Sequence, residues 1–216
     1  MTLPLRPVST VGALADALRS RVLSGEIAPG TPLPEQELAA SYGVARPTVR
    51  EALATLVHEG LLRRERNRSA YVPEVTIRDL DDLMYVRRPL EDLMARAVTG
   101  RRVPGAEAAL HRLAALPGEA PWSETVAEHM ALHGALIEAV GSPRLERLYG
   151  VLAAETRLGL VRLREVYKDR DVLVHEHREL LDALADGPED VARAAVAEHL
   201  SHSWGHDGAR TGDREA

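Results

Sequence analysis

The chain has 216 residues, a net charge of −6 and no cysteine, which excludes disulfides, thiolate metal sites and cysteine nucleophiles. Its length allows one large domain or two modest ones. No apolar run is long enough to span a bilayer, and Met1 to Pro7 lack the apolar core of a signal peptide, so a soluble cytoplasmic protein is expected. The charge is unevenly spread: residues 1–74 hold nine arginines against eight acids, and the remainder eighteen basic residues against twenty-five acids. Within 44–72, six arginines face three glutamates. A local basic surface on an acidic body suits phosphate binding, which responds to local potential.

Val11 to Leu23 carries apolar residues at helical spacing, Leu14, Leu18 and Val22 or Leu23, with Gly25 placed to end the helix. Pro29-Gly30 reads as a turn. Pro34 to Ala40 reads as a short helix whose Pro34 and two acids suit its positive end, with Gly43 breaking it. A third helix is expected from about Arg46 to Glu59, with Pro47 tolerated in its first turn and Gly60 as its stop. Leu61-Leu62 and Ala70-Tyr71-Val72 flank the charged stretch Arg63 to Ser69, which predicts a β-hairpin with a basic tip. Two short helices around a glycine turn, followed by a hairpin, make a winged helix-turn-helix.

Pro73 to Ile77 reads as a linker. Beyond it every segment has helical period: Leu80 to Leu93, Ala106 to Leu116, Ser123 to Val140, Leu145 to Tyr167, Val172 to Leu184 and Pro188 to about Trp204. Breaks fall at Gly100, Pro104, Pro117-Gly118, Gly141-Ser142-Pro143 and Gly187-Pro188. The expected fold is therefore mainly α: an N-terminal winged helix-turn-helix over 1–74, a linker at 75–77, an all-α six-helix antiparallel bundle over 78–204, and a disordered tail over 205–216.

In a helix-turn-helix the N-terminal side chains of the recognition helix enter the major groove. Here those are Arg46, Thr48 and Arg50. The arginine fork matches guanine O6 and N7 together, while Arg68 at the hairpin tip is placed for a phosphate or the minor groove. Each arginine alone reads equally well as an exposed helix charge; the constellation favours DNA.

Typed positions fall in register over about fifty residues: Gly25, Ile27, Pro29-Gly30, Glu37-Leu38-Ala39, Gly43-Val44-Ala45-Arg46-Pro47-Thr48-Val49-Arg50-Glu51-Ala52-Leu53, Leu56 and Glu59-Gly60-Leu61-Leu62. This segment resembles the DNA-binding domain of the GntR family. The resemblance implies that Arg46 and Arg50 read bases, assisted by Gln36 and the wing. Two positions depart from it: Ala45 stands where the family usually has serine, removing a helix cap, and Ser69 where the wing usually has glycine.

Eight of the nine histidines lie beyond the linker. His129 and His133 are four apart and share a helix face, while His177 and His199 fall on two further predicted helices. Spacing leaves two readings open, interhelical hydrogen bonders or a Zn²⁺-type site of neutral imidazoles. His133-x-x-Leu136, Glu176-His177-x-x-Leu180-Leu181-x-Ala183-Leu184, Ala194-x-x-x-x-His199 and Arg87-x-x-Leu90-Glu91 resemble the C-terminal FCD domain of the FadR subfamily. Six predicted helices place it nearer the shorter, VanR-like branch.

That resemblance implies a pocket metal held by one aspartate and three histidines, here His133, His177 and His199, and an effector that is a small organic acid. The aspartate's place, four residues before the first histidine, is His129. Either His129 is the fourth ligand of an all-imidazole site, or the site is lost. Zinc is the expected metal, with nickel or manganese as alternatives. Arg87 matches a pocket-floor arginine able to hold an effector carboxylate bidentately; its other reading is a salt bridge to Glu91 one turn on.

The expected function is a ligand-responsive repressor, released from double-stranded DNA by a small carboxylate. A homodimer on a pseudo-palindromic operator is expected, with no membrane partner. The alternatives are a metal-free dimer that binds DNA without a ligand, and a metal-dependent enzyme. No general base, oxyanion element, phosphate loop or nucleotide fingerprint accompanies the histidines, so no enzyme activity is expected.

Overall fold

Ser9 opens the first helix: its hydroxyl accepts the Gly12 N–H at 3.0 Å, satisfying one of the free donors of a helix start. The computed structural model describes residues 9–162 and 169–201. In chain order these form α1 (Thr10–Leu23), β1 (Pro32–Leu33), α2 (Glu35–Tyr42), α3 (Arg46–His58), β2 (Ala70–Tyr71), α4 (Ile77–Val98), α5 (Pro104–Ala115), α6 (Trp122–Glu138), α7 (Pro143–Arg162), α8 (Arg170–Asp186) and α9 (Glu189–Ser201). The expected tail 205–216 and the outer ends of two predicted helices, at Tyr167 and Trp204, lie outside the described residues. No helix among the described residues is long and apolar enough to cross a membrane.

The chain divides into two compact units, one within Met1–Leu83 and Gly150–Arg162, the other within Met84–Tyr149 and Leu163–Ala216. The first is the winged helix-turn-helix. Leu14, Leu18 and Val22 of α1 bury against Val49, Leu53 and Leu56 of α3, closed by Leu61, Leu62, Val72 and Leu158. Gly43 joins α2 to α3 in the left-handed region, φ 63, which glycine enters without steric cost. Ala45 caps α3 with an extended backbone and no side-chain bond, as the missing serine implies.

The wing is built differently from the simple hairpin that the sequence suggests. Leu61 and Leu62 turn their N–H groups back to the Leu56 carbonyl, at 3.0 and 3.2 Å, and so finish α3 instead of starting a strand. Gly60, at φ 76, makes that reversal possible. The first wing rung is Arg63 to Tyr71, bonded both ways at 2.9 Å. On its other side β2 pairs antiparallel with β1, Pro32 opposite Tyr71 and Leu33 opposite Ala70. Gly30 donates to the Val72 carbonyl at 2.8 Å and draws this short strand alongside. Asn67 turns the tip at φ 62.

The second unit is helical. The start of α4 belongs to the first unit, and there Thr76 and Asp79 exchange backbone and side-chain bonds, an N-terminal box. Six helices, α4 to α9, follow the wing among the described residues, as expected from the period. α5 packs on α6 and α8, and α8 on α9. Arg193 of α9 grips Asp92 of α4 at 2.6 Å. Apolar side chains such as Met94, Leu113, Leu132, Leu136, Leu180, Leu184 and Val196 fill the interior.

Candidate functional site

In the first unit, Arg46 and Pro47 open α3, and Arg50 follows one turn later on an exposed face. Gln36 is exposed near the start of α2, Thr48 is half-buried, and Arg68 stands out at the wing tip, where it pairs with Glu65 at 3.0 Å. One residue unites three of these elements. Glu35, first in α2, accepts from Arg50 Nε and Nη2 at 3.2 and 3.0 Å and meets Arg64 of the wing at 3.5 Å. The Arg50 hydrogen bond, with the charges of Arg50, Arg64 and Arg46, holds the Glu35 carboxyl below its ordinary value. The start of α2, the start of α3 and the wing thus share one polar end of the unit. In the sequence Glu35 is marked only as an acid suited to a helix start; nothing in the linear pattern marks a contact fifteen residues away.

In the second unit the four histidines converge. His129 and His133 project from one face of α6, His177 from α8 and His199 from α9, all buried. From His133 Nε2 the distances are 3.1 Å to His129 Nε2, 3.2 Å to His177 Nε2 and 3.2 Å to His199 Nε2. Two nitrogens on one tetrahedral zinc, each at 2.0–2.1 Å, stand about 3.3–3.4 Å apart; the three distances from His133 are within a few tenths of that, and the ligand atoms of all four histidines lie within 4.8 Å of one another. Glu128, the neighbouring acid, turns away to Arg112 at 2.8 Å.

The outer contacts fix which nitrogens face inward. His133 Nδ1 lies 3.1 Å from Glu91 Oε2, and His177 Nδ1 lies 2.6 Å from the Leu173 carbonyl. Both acceptors call for an Nδ1–H, which leaves Nε2 as a lone pair on each neutral ring. With both rings neutral in this form, the two Nε2 atoms, 3.2 Å apart, both offer lone pairs, which a metal ion between them or a proton shared between them would satisfy. Burial first, then the neighbouring imidazoles and Arg87, depresses the His129 pKa well below its ordinary value and favours the neutral ring a metal needs.

Behind the cage lies a buried polar cluster. Arg87, 2% exposed, gives Nε to Glu91 Oε1 at 2.9 Å, forms a second bond to it through Nη2, and reaches the Tyr149 hydroxyl at 3.0 Å. The salt bridge to Glu91 is therefore formed. Burial alone would raise the Glu91 carboxyl, but Arg87 and His133 outweigh it and hold it at about 2. Burial likewise pushes the Tyr149 phenol up. The link from Arg87 to Glu91 was legible as an i, i+4 pair; Tyr149, on another helix, carried no sequence signal.

A winged helix-turn-helix with an arginine-rich end, followed along the chain by a helical unit around four buried imidazoles, is the architecture of a DNA-binding regulator. Comparison with known proteins agrees: residues 10–72 match the bacterial regulatory proteins of the gntR family, and residues 82–202 match the FCD domain. An HTH-type transcriptional regulator from an unstable DNA locus of Streptomyces ambofaciens is 31% identical over 187 residues, covering 85% of this chain and 78% of its own. A probable D-xylose utilization operon transcriptional repressor of Paenarthrobacter nicotinovorans is 23% identical over 200 residues, covering 91% and 88%. The crystal structure of a GntR regulator from Rhodococcus sp. RHA1 superposes with a TM-score of 0.77 at 26% identity, covering 88% and 93%. The chain belongs to the GntR family of transcriptional regulators, with an FCD domain as its helical unit.

Proposed function

We propose that this regulator is a cytoplasmic repressor whose hold on DNA is released by a small organic acid bound at a divalent metal in the FCD cage. The observation that carries the reading is the convergence of His129, His133, His177 and His199, all buried, with their ligand atoms within 4.8 Å of one another. His129 then serves as the fourth ligand in the place where the family resemblance expects aspartate.

Charge supports an anionic effector. The cage is four neutral rings, and Glu91 is offset by Arg87. A divalent ion held there leaves an uncompensated double positive charge in a buried site, which favours recruiting a carboxylate. Imidazole donors favour zinc or nickel over the harder manganese. Arg87 supports the cage by holding Glu91; a direct grip on the effector, the role expected from sequence, requires it to exchange Glu91 for the ligand.

On the DNA side, Arg46, Thr48 and Arg50 read the major groove, with Gln36 and Arg68 assisting. A homodimer presents two such modules to a pseudo-palindrome, and effector binding shifts the population of DNA-competent dimers. Repression as the sign of regulation follows the relatives described as repressors.

The test is the metal content of untagged protein by elemental analysis, beside the His133→Ala/His177→Ala double variant. Near-stoichiometric metal that disappears in the variant is expected. Absence of metal after incubation with zinc, nickel and manganese would overturn the cage reading and leave a DNA-binding dimer without a metal. Calorimetry of the loaded protein against organic acids, followed by DNA release with any acid that binds, tests the effector.

A further inference from the structure

We propose that Glu35 is a specificity-determining residue: its carboxylate holds the Arg50 guanidinium in the orientation that reads a base, while repelling unmatched phosphate. The inference rests on the reading that Arg50 faces the major groove.

The geometry carries it. An arginine has five N–H donors in a rigid fork. Glu35 takes the side edge, Nε at 3.2 Å and Nη2 at 3.0 Å. The remaining N–H groups, both on Nη1 and the outer one on Nη2, make no bond to protein among the described residues; one from each nitrogen forms the end edge, and the Arg50 side chain is 59% exposed. Guanine O6 and N7 accept two parallel N–H groups of this kind, so Arg50 has donors for a base while Glu35 still holds it.

Glu35 is itself well anchored. It is the first residue of α2, where the helix dipole favours an anion, and its side chain is 19% exposed. A free arginine carries a large rotamer entropy, lost on binding; an arginine fixed beforehand loses less. The same carboxylate also meets Arg64 of the wing, so one charge ties the wing to the recognition helix. Its location at an arginine-rich end lowers attraction for any phosphate backbone. That penalty falls on all duplexes, whereas the orienting benefit is realised only where the correct base is present.

The two effects give opposite signs, which makes the idea testable. Full-length wild type, Arg50→Ala, Glu35→Gln and Glu35→Asp proteins are each used to select binding sites from a randomised duplex library. Affinities are then measured for the wild-type-selected duplex and a scrambled one. Glu35→Gln is expected to bind the selected duplex about tenfold more weakly, the scale of one bidentate base contact, and the scrambled duplex equally or more tightly. Its selected sequence should degrade at the position Arg50→Ala degrades, and Glu35→Asp should recover part of the preference. Unchanged sequence preference in Glu35→Gln, or weakening on both duplexes alike, overturns the proposal. If Arg50→Ala selects the wild-type sequence, the base-reading role of Arg50 falls as well.

Discussion

Glu91 and His133 face each other at 3.1 Å, carboxylate to Nδ1, and each is 1% exposed. The contact sets the tautomer of the histidine from which the other three cage nitrogens are measured. Glu91→Gln keeps the shape but removes the charge that favours a metal-bound imidazole. Metal affinity is expected to fall about 10–100-fold with the helical content retained, as for other outer partners of ligating histidines. Glu91→Ala should instead cost about 3–5 kcal/mol of stability, because it leaves Arg87 buried beside an empty space. Competition against a fluorescent chelator and denaturant melts separate the two; equal metal affinity in Glu91→Gln would remove Glu91 from the site.

His129 offers a second handle. His129→Asp adds one negative charge where the family resemblance expects it, and harder ions should gain most. Manganese affinity is expected to rise relative to zinc by roughly an order of magnitude, read in the same competition assay. A variant whose zinc-to-manganese ratio equals that of the wild type would mean that His129 does not ligate.

Several of these relationships were legible in sequence because they are local. His129 and His133 four apart, Arg87 and Glu91 four apart, the glycine at 43 and the proline at 47 all act through helical geometry over a turn or two. Others were hidden because they depend on how distant segments meet. Pro32-Leu33 has no strand pattern of its own and becomes β1 only because Gly30 and Val72 close the wing beside it. Leu61 and Leu62 look like a strand start, yet their N–H groups are claimed by the end of α3. Tyr149 reaches Glu91 across fifty-eight residues, a distance over which periodicity says nothing.

The cage should make the metal-free protein acid-sensitive. The folded His129 pKa lies below the ordinary 6.5, chiefly from burial, so the unfolded chain takes up that proton more readily. Stability is therefore full above about pH 6.5 and is lost as pH falls below it. Glu91 adds a later loss, its contribution present above the ordinary 4.5 and disappearing as pH falls through about 2. Denaturant midpoints of metal-stripped protein should drop between pH 7 and 5, with a shallower drop in His129→Leu. A flat profile in the wild type would contradict a buried neutral His129.

The proposed homodimer has a candidate face in α4. Tyr85, Pro89 and Leu93 recur every fourth residue, with Tyr85 72% and Leu93 55% exposed, and Leu148 of α7 is 60% exposed in the same unit. Large apolar side chains left open at one helix spacing are what a twofold contact would cover. Tyr85→Glu with Leu93→Glu is expected to convert dimers to monomers in sedimentation and to weaken binding to an operator-length duplex by roughly 100-fold, because each module then binds alone. Wild-type protein that sediments as a monomer with and without DNA would sink the twofold arrangement.

At Ala45 the DNA-binding unit lacks a stabilising device that its geometry allows. Its backbone is already in the capping conformation, φ −70 and ψ 145, with no side-chain bond. Pro47 has no N–H, so a serine at 45 would cap the N–H of Thr48. Ala45→Ser is expected to add about 1 kcal/mol, or about 2–4 °C in melting temperature for a chain of this size. The backbone is already placed, so the selected DNA sequence should be unchanged. A melt that does not move would mean that α3 is held entirely by Val49, Leu53 and Leu56 in the core. A shift in sequence preference would mean that position 45 takes part in DNA reading as well as in the helix start.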